Sequence, residues 1–146
     1  MTRLITIPFS HYCEKARWAL DRCGVEYEEE GYLPLVHYLG VRRLRSPRSV
    51  PVLVDGSVAV RDSTDIVAWA DARRPGTLLP SDGTRATSLA LEDSFDRDLG
   101  PAARRWAYLH LLPRGDLDAI VTRGLPTWQV RWFPVLRPLL VCQRAR

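Results

Sequence analysis

Residues 50–60 place the strongest constraint on how this chain folds. Two β-branched runs, residues 50–54 and 57–60, flank the dipeptide Asp55-Gly56. A two-residue Asp-Gly connection between such runs is the strongest short-range signal for an antiparallel β-hairpin. We therefore predict two neighbouring antiparallel strands joined by a tight Asp-Gly turn.

The residues before the hairpin predict a strand–helix–strand unit. Residues 4–7 are a short β-branched run closed by a proline, which is typical of a strand. Ser10 is a good N-cap for a helix whose apolar residues recur at helical spacing until Gly24. Residues 25–28 alternate in polarity and predict a second strand. Because a crossover helix joins the two strands, we expect them to be parallel.

The rest of the chain predicts helices around and after the hairpin. Residues 35–48 suggest a short helix or an irregular turn, and residues 62–65 offer N-caps to a helix that ends at Pro75-Gly76. From residue 86 onward we expect helices, interrupted at Gly100-Pro101 and again at Pro134 and Pro138. The predicted organisation is an α/β domain over residues 1–80, with a mixed four-stranded sheet in the order β-α-β-α-β-β-α. An all-α region over residues 84–146 follows.

Composition and charge narrow the classes of function. The chain has 146 residues, and its net charge of +4 is mild, whereas nucleic-acid binding needs a clustered basic face. No apolar run is long enough to cross a bilayer, and the N-terminus lacks the apolar core of a signal peptide. Cys13, Cys23 and Cys142 suggest neither a disulfide framework nor a metal site. We expect a cytoplasmic protein with no metal, no nucleic-acid partner and no membrane span.

The first candidate site is the strand-to-helix junction at Ser10. A helix N-terminus presents unpaired N–H groups and partial positive charge, so it stabilises a thiolate. Ser10-His11-Tyr12-Cys13 is similar to the Cys-x-x-Cys motif of redox proteins, with serine in the leading position. A hydroxyl there can donate a hydrogen bond to a bound thiolate. The alternative is that Ser10 only caps the helix and Cys13 only packs.

The second candidate is Val50-Pro51 at the start of the hairpin. Proline removes a ladder donor and is tolerated only at strand starts or edges. A cis bond would turn the Val50 main chain outward, where an extended ligand can pair with it. The alternative is a trans proline that simply begins a strand.

The third candidate is Asp62-Ser63 at the next helix start. The helix N-terminus and the hydroxyl suit a carboxylate, while the aspartate suits an ammonium group. Together they match the α-amino-acid end of a γ-glutamyl peptide. The alternative is an N-cap pair without a ligand.

In order and spacing, these motifs resemble those of the glutathione S-transferase family. Residues 9–20 look like the first helix of its bacterial members, and residues 46–53 resemble their Asn-Pro-x-x-x-Val-Pro-x-Leu segment. Residues 62–66 are similar to their Glu/Asp-Ser-x-x-Ile helix start, and Leu78-Leu79-Pro80 matches their interdomain linker. The resemblance is dense over about the first 80 residues and implies a thioredoxin-like fold for them.

The resemblance also implies roles. Ser10 would stabilise the glutathione thiolate, Val50 before a cis Pro51 would pair with the cysteinyl part, and Asp62 and Ser63 would hold the γ-glutamyl end. Arg48 would meet the glycyl carboxylate, because Ser49 stands where many members place a cation. The residues expected to line the pocket for an electrophilic second substrate are Tyr12, Arg105 and Tyr108. A homodimer is implied as well.

Two other functions stay open. One is a non-catalytic glutathione-binding or interaction module, because only 66 residues follow Pro80. The other is a thiol-disulfide oxidoreductase that uses Cys13, against which the leading serine argues.

Overall fold

The structure is a computed structural model that describes residues 1–44, 49–110 and 118–142. Its first part is a mixed four-stranded sheet in the spatial order β2-β1-β3-β4. The strands are β1 (Arg3–Thr6), β2 (Glu28–Gly31), β3 (Val52–Asp55) and β4 (Val58–Arg61). β1 is parallel to β2 and antiparallel to β3, and β4 is antiparallel to β3. The predicted mixed sheet and its order along the chain are confirmed.

Helices cover both faces of the sheet because its apolar residues alternate between the faces. Leu4 and Leu53 pack with α1 (His11–Arg22) and α3 (Ser63–Arg73) on one face. Ile5 and Val52 pack on the other face with Val41, the last residue of α2 (His37–Val41). A 3₁₀ turn, Arg42–Leu44, follows α2. The predicted short helix in this region therefore forms before the undescribed residues 45–48.

The second strand begins three residues later than residues 25–28 predict. The amide of Val25 donates to the carbonyl of Leu20 and so closes the end of α1, while Val25 and Tyr27 pack on the core. The ladder begins at Glu28, whose amide donates to the carbonyl of Thr2. The expected boundary is therefore wrong, because the alternating residues serve the end of the helix.

The hairpin turn is shifted by one residue from the predicted Asp-Gly pair. Asp55 is still paired with Val58 in the ladder, so the two turn residues are Gly56 and Ser57. Gly56 has φ +58°, a left-handed conformation that glycine adopts without strain. The Asp55 carboxylate accepts hydrogen bonds from Thr2 and Arg73, so its side chain links neighbouring elements.

The described chain after residue 84 contains helices and no strand. α4 (Arg85–Ser94) runs through a π-helical stretch, Phe95–Leu99, into α5 (Gly100–His110). The expected interruption at Gly100-Pro101 is wrong. Pro101 has no amide hydrogen to donate, and the helix widens just before it instead of ending.

Two more helices complete the described chain, α6 (Asp118–Val121) and α7 (Thr127–Cys142). The expected interruptions at Pro134 and Pro138 are wrong as well, since both lie inside α7. They share its exposed side, where carbonyl groups left unpaired by proline can face water. No helix in the described part of the chain is long and apolar enough to cross a membrane.

Asp71 holds the segment that links the sheet-containing part to α4. Its buried carboxylate accepts hydrogen bonds from the amides of Leu78 (3.0 Å) and Leu79 (3.2 Å), and Arg85 lies 3.5 Å away. The hydrogen bond from Leu78 is the main reason that the pKa of Asp71 is lowered. The division into domains at residues 80 and 84 stays a prediction.

Candidate functional site

Three segments that are distant in sequence meet at one end of the sheet. The carboxyl ends of β1 and β4 both lie beside the amino end of β3, because each is antiparallel to β3. The residues that leave or begin these strands line a cavity of about 820 Å3. It is lined by six of the predicted site residues, Ser10, Tyr12, Val50, Pro51, Asp62 and Ser63.

The N-terminus of α1 forms one part of the cavity wall. Ser10 is its N-cap, with extended backbone, and its carbonyl accepts a hydrogen bond from the Glu14 amide at 2.9 Å. Next to it, the His11 and Tyr12 rings are in contact, with centroids 4.0 Å apart and planes tilted by 42°. Burial and the nearby positive charge of Arg104 lower the pKa of His11. The helix dipole and the lining residue Ser10 make this end of the cavity suitable for an anion.

Cys13 lies beneath this wall and is completely buried. Burial raises the pKa of its thiol, against the opposing hydrogen bonds of the Ile7 amide and Ser10. A buried thiol with a raised pKa is a poor nucleophile. The geometry therefore disfavours an oxidoreductase that attacks through Cys13.

The peptide bond between Val50 and Pro51 is cis, as the resemblance to the family implied. Both residues line the cavity beside the exposed Ser49. Arg48 lies outside the described residues, so its expected contact with a glycyl carboxylate stays a prediction.

The N-terminus of α3 forms the third part of the wall. Asp62 has φ +106° and caps the helix, since its carboxylate accepts the Thr64 amide at 2.9 Å. A non-glycine residue with such a φ is uncommon and persists where its surroundings hold it. Ser63 is buried, yet it lines the cavity. A carboxylate, a hydroxyl and the N-terminal end of a helix thus meet at one point.

The opposite wall comes from the helices after residue 84. Its lining residues are Asp93, Asp96, Arg97, Ala103, Arg104 and Ala107. Arg104, and not the predicted Arg105, faces the cavity, because Arg105 is exposed and lies outside the described lining. Tyr108 lies in α5, and its side chain is outside the described structure. The Arg104 guanidinium carbon lies 5.2 Å from the centre of the Tyr12 ring.

An ion network fastens this second wall to the first. Lys15 donates to Asp96 (2.6 Å), to Thr64 (3.1 Å) and to Glu92. Thr64 in turn donates to Glu92 at 2.6 Å. Burial acts to lower the pKa of Lys15, but the bonds to Asp96 and Glu92 raise it overall. α1, α3 and α4 are therefore joined immediately behind the cavity.

Sequence reasoning missed the contributions of His37, Asp96 and Arg104. His37 is buried and lines the cavity. Asp96 and Arg104 lie in helices whose orientation depends on tertiary contacts, and no local pattern marks them. One member of the network did stand out in the sequence, because Lys15, which donates to Asp96, is the single lysine of the chain.

Comparisons with known proteins agree with this fold. A family model described as glutathione S-transferase, N-terminal domain, matches residues 4–78. The mixed sheet with its flanking helices is the thioredoxin-like fold of that class, followed by a helical region. The chain belongs to the glutathione S-transferase family. A comparison with curated proteins found no match.

Solved structures of similar fold include enzymes and glutathione complexes. Rice GST1 in complex with glutathione is 24% identical, with a TM-score of 0.61 over 71% of this chain and 51% of its own. The β-etherase LigF from Sphingobium is 18% identical, with a TM-score of 0.69 over 99% of this chain and 62% of its own. A glutathione transferase homologue from Burkholderia with bound glutathione is 19% identical, with a TM-score of 0.58 over 99% of this chain and 95% of its own. The chain thus spans about half the length of the rice protein.

Among residues 1–44, 49–110 and 118–142, no group of three or more His, Cys, Asp or Glu side chains could hold a metal ion.

Proposed function

We propose that this protein binds glutathione in the 820 Å3 cavity and activates its thiol for attack on an electrophilic small molecule. One observation carries the proposal: Ser10, the cis Val50-Pro51 pair, Asp62 and Ser63 line a single cavity. The glutathione complexes of the rice and Burkholderia proteins support it through their shared fold.

The three wall segments match the three parts of glutathione. The γ-glutamyl carboxylate would bind the amides at the start of α3 beside Ser63, and its ammonium group would face Asp62. The cysteinyl main chain would pair with the main chain of Val50, as an extended peptide pairs with a strand edge. The thiol would then lie at the start of α1 near Ser10. Arg48 stays the proposed partner of the glycyl carboxylate.

The chemistry follows from the anion preference of the α1 N-terminus. Partial positive charge and a hydrogen bond from Ser10 favour the thiolate, so the thiol releases its proton to solvent. The thiolate attacks the electrophilic carbon and forms a C–S bond, while the leaving group departs with its electron pair. The electrophile would lie against Tyr12 and the α5 wall, where Arg104 and the predicted Tyr108 are candidate contacts.

Calorimetric titration with glutathione tests the binding claim through a matched pair of variants. Asp62→Asn retains an oxygen that can cap α3 but removes the charge expected to hold the ammonium group. We expect binding about tenfold weaker, in the range for a charged hydrogen bond. Asp65→Asn removes a carboxylate from the same helix turn and should leave binding unchanged. Equal effects of the two variants would contradict the assignment.

The role of Ser10 is tested by Ser10→Ala against Ser88→Ala, which removes a hydroxyl in α4 that bonds the Thr84 carbonyl. With an electrophile panel, Ser10→Ala should lower the conjugation rate and raise the pH at which it is half-maximal. Ser88→Ala should change neither. An unchanged rate profile in Ser10→Ala would assign thiolate stabilisation to another group.

A binding module without catalysis is the second candidate. Glutathione binding together with no conjugation of any electrophile in the panel would establish this alternative.

We also propose that the partner is a second copy of this chain. Leu91, Phe95 and Leu99 recur every four residues along α4 and the π-helix, and each is more than half exposed. Such a stripe is typical of an interface. Sedimentation equilibrium should show a dimer that Phe95→Glu dissociates, and a monomeric unchanged protein would refute it.

The free, buried Cys13 and Cys23 fit the proposed cytoplasmic location.

A further inference from the structure

α7 reaches the loop behind the cavity through one buried amide side chain. Gln129 is only 1% exposed. Its Oε1 accepts a hydrogen bond from the Leu33 amide at 2.8 Å, and its Nε2 donates to the Gly31 carbonyl at 3.2 Å. The side chain therefore forms two hydrogen bonds with the main chain at the C-terminal end of β2. The Leu33 amide and the Gly31 carbonyl thus have hydrogen-bond partners although α7 covers them from water.

The clamped main chain leads directly to the cavity. The Leu33 carbonyl accepts a hydrogen bond from the His37 amide at 3.0 Å, which begins α2. His37 is buried and lines the cavity. One end of α2 is thus two hydrogen bonds away from Gln129.

A second route runs through side-chain packing. Leu33 is fully buried with Val121 and Phe133, and Phe9 packs against this cluster. Phe9 also lines the cavity and precedes Ser10 in the chain. The α6–α7 segment therefore supports the cavity at two points, although none of its described residues lines it.

The backbone between Leu33 and His37 requires such support. Leu35 has φ +74°, in the left-handed region. This conformation is unfavourable for a non-glycine residue, so it persists only where neighbouring contacts fix it. The bonds of Leu33 to Gln129 and to His37 fix the chain on either side of Leu35.

We propose that Gln129 is a positioning residue for glutathione: it holds the Gly31–Leu33 main chain, and thereby His37 and Phe9, in the binding geometry. This inference rests on the proposed glutathione site. It makes α7 part of the binding machinery without any contact between α7 and the ligand.

Two apolar substitutions separate positioning from stability. Gln129→Leu has nearly the same size and removes both hydrogen bonds, whereas Leu20→Val weakens a separate core cluster between α1, α3 and the sheet and leaves them in place. The thermal midpoint, the glutathione dissociation constant and the NMR signals of the His37 ring in the ligand-free protein are measured for each. A purely structural role would lower both midpoints and leave both affinities unchanged.

We expect Gln129→Leu to weaken glutathione binding by about tenfold and to shift the His37 ring signals. Leu20→Val should lower the midpoint while retaining affinity and ring signals. A folded Gln129→Leu protein with unchanged affinity overturns the inference and leaves the proposed function intact. If the unchanged protein fails to bind glutathione, both fall.

Gln129→Glu keeps the test decisive if the leucine variant does not fold. Its carboxylate can accept from Leu33 but cannot donate to the Gly31 carbonyl, and protonation restores that donor. The affinity of this variant relative to the unchanged protein should therefore recover as the pH falls. A ratio of affinities that is constant with pH overturns the inference.

Discussion

The Tyr12 hydroxyl donates a hydrogen bond to the main-chain carbonyl of Asp96 at 3.0 Å. This bond spans 84 residues of sequence and ties the first turn of α1 to the π-helix after α4. The two walls of the cavity are therefore joined beside the proposed thiol position. The Tyr12 hydroxyl hydrogen is engaged in this bond, just as the Ser10 side chain is engaged with Cys13.

Tyr12→Phe should lower the free energy of unfolding by about 1 kcal/mol, the usual net value of one hydrogen bond. Urea denaturation measures the change. Tyr27→Phe is the control, since it removes only an exposed bond to Asp21 at 3.3 Å. A Tyr12→Phe protein as stable as the unchanged one would show that the bond does not join the walls.

Gly100→Ala should destabilise the protein although alanine is the better helix former. A Cβ atom at residue 100 would lie 2.5 Å from the Tyr12 hydroxyl oxygen and 3.0 Å from His11 Nε2. Tyr12 is held by its bond to Asp96 and by its contact with the His11 ring, so relief of this clash would cost about 1–3 kcal/mol. Gly83→Ala, whose Cβ would meet nothing within 4 Å, is the control. Equal thermal midpoints for both variants would argue against close packing at Gly100.

Lys15→Met should lower the free energy of unfolding by about 1–2 kcal/mol, because Glu92 and Asp96 then face each other without a cation. The loss should be smaller than for a fully buried ion pair, because these side chains are partly exposed. The folded-state pKa of Lys15 is raised, so its contribution is complete below the unfolded-state pKa of about 10.4 and is lost as the pH rises through the folded value. Denaturation curves from neutral to alkaline pH should thus converge for the two proteins. Arg22→Met, at an exposed cation of the same helix, should show no comparable loss at neutral pH.

Asp71→Ala should lower stability by about 2 kcal/mol, because it leaves the amides of Leu78 and Leu79 without their acceptor. The folded-state pKa of Asp71 is lowered, so its contribution is present above the unfolded-state pKa of about 3.9 and is lost as the pH falls through the folded value. Asp71→Asn keeps an acceptor oxygen and should lack this acid-dependent part. Parallel stability profiles of the aspartate and asparagine proteins in acid would contradict the assignment.

The sequence predicted the elements whose signals are local. The hairpin, the crossover unit and the three wall segments follow from turn residues, caps and alternating polarity, and the order of motifs indicated the family. Boundaries were missed where a residue serves two elements, as Val25 does at the end of α1 and before β2.

The second wall could not be predicted because it is defined by contacts between distant residues. Nothing local distinguishes Arg104 from Arg105, and only the helix orientation selects one for the cavity. Gly100-Pro101 suggests an interruption in any local interpretation, yet the bonds of Asp96 to Tyr12 and Lys15 hold a continuous helix there.

The most direct test of the central claim is a pH titration of the glutathione thiol in the presence of the unchanged protein. The ultraviolet absorbance of the thiolate monitors this titration. If glutathione binds with its sulfur at the start of α1, the thiol pKa of the bound ligand should be lower than that of free glutathione. Ser10→Ala should return it toward the free value. A bound thiol with the same pKa as free glutathione, or no binding at all, would contradict the account.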